Sequence, residues 1–105
     1  MQYQTKRAFH VCIIPKGEVS STFHGRYDAD TAVEACTRYI NADWDRSSGA
    51  QVAQTKGGTV IVTPYYSRDY GLGELQCVVQ CVGHQIFEVE PVAEPKARIV
   101  RQIGV

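Results

Sequence analysis

Phe9, Val11 and Ile13 alternate along residues 8–14 (AFHVCII), and the same two-residue rhythm returns repeatedly before the chain ends. Successive side chains of a strand point to opposite faces, so each such run predicts a strand with one apolar face. Pro15-Lys16-Gly17 follows, with proline suited to the second position of a turn and glycine to a left-handed one. Residues 19–27 then alternate again, placing Val19, Ser21, Phe23 and Tyr27 on one side. Together the two runs predict a hairpin. Residues 51–55, a turn at Lys56-Gly57-Gly58, and residues 59–63 read as a second hairpin that ends near Pro64. Residues 67–73 form a loop, 74–82 another strand, 83–85 a turn and 86–90 the returning strand. Pro91 and Pro95 then loosen the chain, and residues 91–105 read as an edge strand or a tail.

One stretch breaks the rhythm. Ala29, Ala32, Val33, Ala35, Cys36, Tyr39 and Ile40 fall three and four residues apart, as one face of a helix requires. Asp28 or Asp30 can cap it, and Thr31-x-x-Glu34 offers a capping box as an alternative start. Glu34 and Arg38 are spaced to pair on the wet side. Residues 43–49 read as a loop. The expected fold is therefore α+β, a mostly antiparallel sheet with one helix on one face, in the order β-β-α-β-β-β-β. A length of 105 residues predicts a single domain over 1–105, able to bury roughly 65% of its unfolded surface.

Composition narrows the function. Eleven basic and eleven acidic side chains cancel, leaving no global field to gather nucleic acid or an anionic membrane. The apolar runs are far shorter than the roughly 20 residues of a membrane span, and no signal-peptide h-region follows the basic start. A reducing cytoplasm is the expected compartment, and Cys12, Cys36, Cys77 and Cys81 are expected as free thiols. The stretch QCVVQCVGH (76–84) invites a metal reading through Cys77, Cys81 and His84. On a strand, however, Cys77 and Cys81 lie about 13 Å apart, too far for one zinc ion, whose sulfurs sit about 2.3 Å from it. No metal and no cofactor is expected, and His84 reads as a solvated turn tip.

His10 and Cys12 share the second face of the first strand, with His24 on its partner, so a Cys–His nucleophile pair is a third reading of the function. Basic residues suggest another: Lys96, Arg98 and Arg101, with Lys6 and Arg7, would merge into one patch if the terminal segments pair. Single-stranded nucleic acid is the alternative ligand, against which the neutral balance and the intervening Glu88, Glu90 and Glu94 weigh. Tyr65, Tyr66, Arg68 and Tyr70, with Trp44 from the loop after the helix, instead have the composition of protein-binding hot spots. That gives the leading expectation: a non-enzymatic protein-binding module whose partner is another protein, with a homodimer also open.

Residues 23–35 (FHGRYDADTAVEA) resemble the strand-to-helix junction of small proteins from phages and other mobile elements. Some anti-CRISPR inhibitors are similar in size and in their strand–strand–helix–strand order. The resemblance implies an inhibitor that occupies a partner's surface. Many of those inhibitors are strongly acidic mimics of nucleic acid, whereas this chain is neutral.

Overall fold

The computed structural model describes residues 7–43, 48–64, 84–92 and 96–104. Five strands form one antiparallel sheet: β1 (Arg7–Pro15), β2 (Thr22–Ala29), β3 (Gly58–Pro64), β4 (Gln85–Pro91) and β5 (Ala97–Ile103). Their order is β2-β1-β3-β4-β5, so β2 and β5 take the edges. Two helices, α1 (Ala32–Ile40) and α2 (Gly49–Thr55), lie between β2 and β3 in the chain. The α+β class and the antiparallel sheet agree with the sequence.

The expected order and the single helix do not. Residues 51–55, read as a strand, belong to α2. Ser48 caps that helix, its Oγ accepting the Ala50 N–H at 3.0 Å. Ala50, Ala53 and Gln54 face inward at three- and four-residue spacing. Gln54 Nε2 donates to the Ile40 carbonyl at 2.9 Å, tying α2 to the end of α1. Five residues are too few to separate a period of two from one of 3.6, and Val52 next to Gly57-Gly58 imitates a hairpin. The strand read over 74–82 lies outside the described residues.

α1 begins at Thr31, whose Oγ1 accepts the Glu34 N–H at 3.1 Å, while Glu34 Oε1 accepts the Asp30 N–H at 2.9 Å. The reciprocal bonds satisfy two donors that the first turn would otherwise leave open. Glu34 also holds Arg38 at 2.7 Å, the pair expected from their spacing. Ala32, Ala35, Cys36, Tyr39 and Ile40 are buried, but Val33 is 50% exposed and is no part of the core face. The helix rotates by its small residues. Alanines let its backbone sit close to Phe9, Val11 and Ile13 of β1, Val60 and Val62 of β3, and Phe87 and Val89 of β4, which together with Ala53 of α2 form the core.

The first hairpin differs from its sequence reading in detail. Its turn runs Pro15–Glu18, with the Glu18 N–H donating to Pro15 O at 2.9 Å and Gly17 left-handed at φ 86°. Pro15 thus takes the first turn position rather than the second. Val19 lies outside the strand and is exposed. In β2 the register slips: Val11 pairs with Gly25 but Ile13 with Thr22, so Phe23 and His24 together oppose Cys12. That is a β-bulge, and Phe23 is left-handed within it at φ 56°. Among the described residues no helix is long and apolar enough to cross a membrane.

Candidate functional site

Both helices cover the face that carries Phe9, Val11, Ile13, Val60, Val62, Phe87 and Val89. The alternate positions point the other way, and the strand registers line them up in rows across the sheet. One row runs Cys12, Ile61, Ile86, Ile103. The next runs Ile14, Thr59, Glu88, Arg101. An antiparallel sheet with one face packed on its core normally turns polar residues outward. Here four isoleucines sit on the face that neither described helix covers. Ile14, Ile61 and Ile86 are half-buried and Ile103 is 36% exposed. A groove of about 580 Å³ follows the second row, lined by Ile14, Thr59, Glu88, Arg101 and Ile103 among others.

Two ion pairs cross this face between β4 and β5. Arg101 Nε donates to Glu88 Oε1 at 2.8 Å, and Arg98 Nε donates to Glu90 Oε2 at 2.6 Å, both across the β4–β5 ladder. Lys96 is exposed just ahead of β5. Lys96, Arg98 and Arg101 therefore lie along one edge, but two of the three carry a carboxylate with them. Trp44, Tyr65, Tyr66, Arg68 and Tyr70 lie outside the described residues, as do Cys77 and Cys81, and His84 is exposed ahead of β4.

At the β2 end of the same face, His10, Cys12 and His24 come together. His10 Nε2 and His24 Nδ1 are 3.0 Å apart and share one hydrogen bond, with ring centroids 4.9 Å apart and tilted by 38°. His24 Nε2 meets Ser21 Oγ at 3.3 Å. One donor atom from each of His10, Cys12 and His24 lies within 4.8 Å of the others. Two residues apart on β1, His10 and Cys12 share a face by alternation; the bulge then sets His24 against them. Phe23 bears the strain, since a left-handed residue with a Cβ costs about 1–2 kcal/mol. Its carbonyl accepts the Tyr39 O–H at 2.7 Å, and its ring packs on the core, which hold it there.

The electrostatics do not suit a nucleophile. Cys12 is 4% exposed, and burial raises its thiol above the usual range, with a hydrogen bond to Ser21 opposing that shift. A reactive cysteine needs the reverse, a depressed pKa and access. Burial lowers the pKa of His10, and His24 beside it lowers it further, which disfavours the cation that would stabilise a thiolate. Cys36, on the buried face of α1, is pushed up to about 12 by burial alone and is inert. Alternation in the sequence brings His10 and Cys12 together, but no sequence signal marks the bulge or the isoleucine row. No protein-family model, curated protein or solved structure matches this chain significantly.

Proposed function

We propose that this chain is a small protein-binding module, acting as an inhibitor by occupying a partner's surface with the sheet face that neither described helix covers. The row Ile61, Ile86, Ile103 carries this reading. Aliphatic side chains on that face gain free energy when covered, about 25 cal/mol per Å² of apolar surface removed from water. The Glu88–Arg101 and Glu90–Arg98 pairs border the row as a polar rim borders the centre of an interface. An affinity bait from the native host tests it directly. A specific partner held by the unaltered chain is expected to be lost on joint Ile86→Lys and Ile103→Lys substitution, because a central anchor is worth about 2 kcal/mol or more of binding. Retention by that variant, with loss on joint truncation of Tyr65, Tyr66, Arg68 and Tyr70, would move the docking surface to those four residues.

A nucleic-acid partner is disfavoured by the same ion pairs. A phosphate approaching Arg98 or Arg101 meets a carboxylate already 2.6–2.8 Å from the guanidinium, which offsets its attraction. We expect no measurable binding to single- or double-stranded oligonucleotides at physiological salt. A tight complex that weakens steeply with salt and disappears on charge reversal at Lys96, Arg98 and Arg101 would replace the protein partner with nucleic acid.

A further inference from the structure

We propose that His10, Cys12 and His24 form a binding site for one divalent transition-metal ion of the zinc class. The cluster lies at the β2 end of the proposed docking face, but metal binding there requires no partner protein. Two imidazoles and one thiol, with no carboxylate among the three, are the donors that select zinc and its neighbours over magnesium or calcium. Zinc holds nitrogen at about 2.0–2.1 Å and sulfur at about 2.3 Å, so tetrahedral ligands sit about 3.3 Å apart for two nitrogens and about 3.6 Å for nitrogen and sulfur. The two histidines are already at 3.0 Å, and the wider limit of 4.8 Å closes with side-chain movements of about 1 Å, well within rotamer adjustment.

Three further features fit the role. His24 would bind through Nδ1 while its Nε2 faces Ser21 Oγ at 3.3 Å, the outer partner that fixes the ring of a metal-bound histidine. His10 would bind through Nε2, the atom that now shares the proton with His24. The strained Phe23 and its bulge hold His24 on the side of Cys12 and so give the backbone conformation a purpose. Three protein ligands leave a fourth position for water. On binding, the imidazole pair exchanges its shared hydrogen bond for two metal bonds, its proton moving to the outer nitrogen of the same ring. The Cys12 thiol gives its proton to solvent and its sulfur to the metal.

Titrating the full chain, stripped by chelator and kept reduced, with Zn²⁺ alone is expected to show one ion bound per chain with release of about one proton, since the thiol must deprotonate to bind. Co²⁺ in its place should give a thiolate-to-metal charge-transfer band. His24→Ala and Cys12→Ser should each weaken binding by more than about 100-fold, because even an outer-shell partner is worth about 10–100-fold. Joint Cys77→Ser and Cys81→Ser should leave it intact. His24 is exposed, so His24→Ala decides the matter even if the buried Cys12→Ser variant does not fold. No uptake at micromolar Zn²⁺, or uptake unchanged by His24→Ala, would overturn the assignment, as would loss confined to the Cys77/Cys81 variant.

Discussion

Phe87→Ala is expected to lower the stability of this protein by about 3–5 kcal/mol, measured as a fall in the urea midpoint at unchanged slope. Phe87 is 1% exposed and the largest fully buried side chain among the described residues. It stands on β4 opposite Val60 of β3 and Gln102 of β5, and its ring belongs to the cluster that α1 and α2 close over. Truncation removes the transfer free energy of the ring and leaves a cavity that a rigid sheet cannot collapse. A domain of this size has a net stability of only about 5–15 kcal/mol, so the loss takes a large share of it. An unchanged midpoint would mean that the helices do not close over β4.

A second large loss is expected at Gly58, where backbone geometry rather than volume decides. Gly58 has φ 150° and sits at the start of β3, opposite Pro15. A Cβ there would run into the carbonyl of Ile14 and crowd the amide of Lys16. Neither group can swing aside, because both are main chain, and the Lys16 N–H is held by Gly57 O at 3.0 Å. Gly58→Ala therefore combines backbone strain of about 1–3 kcal/mol with displacement of the β1–β3 ladder, and we expect a total above about 3 kcal/mol. Gly17→Ala supplies the contrast. Gly17 is also left-handed, at φ 86°, but a Cβ there meets nothing within 4 Å. That variant should lose only the conformational term, about 1–2 kcal/mol. Equal melting temperatures for the two variants would show that the close approach at Gly58 carries no weight.

Local pattern made half of this architecture legible. Phe9, Val11 and Ile13 alternate because a strand presents every second residue to one side, and no tertiary information is needed to see it. Thr31 and Glu34 announce the start of α1 because a helix leaves its first N–H groups without partners, a problem solved within four residues of chain. Glu34 and Arg38 pair for the same reason, since one helical turn separates them.

The remainder depended on partners far apart in sequence. Residues 51–55 satisfy both periodicities, and only burial of Ala53 in the core and the reach of Gln54 to Ile40 O select a helix. Ile61, Ile86 and Ile103 look like scattered off-phase residues until the strand registers set them in one row. Arg98 and Arg101 read as a basic patch, yet they are ion-paired once β5 lies beside β4 and brings Glu90 and Glu88 within reach. The meeting of His10 with His24 is intermediate: alternation supplies the face and the hairpin supplies the neighbour. The bulge at Phe23 supplies the last displacement, and its strain is tolerated only because Tyr39, sixteen residues away, bonds the carbonyl of that residue. What a side chain does to its own backbone is written within a few residues of it. Which side chains face each other across the sheet is settled when loop-closure entropy is overcome by packing, and that balance is struck over the whole chain at once.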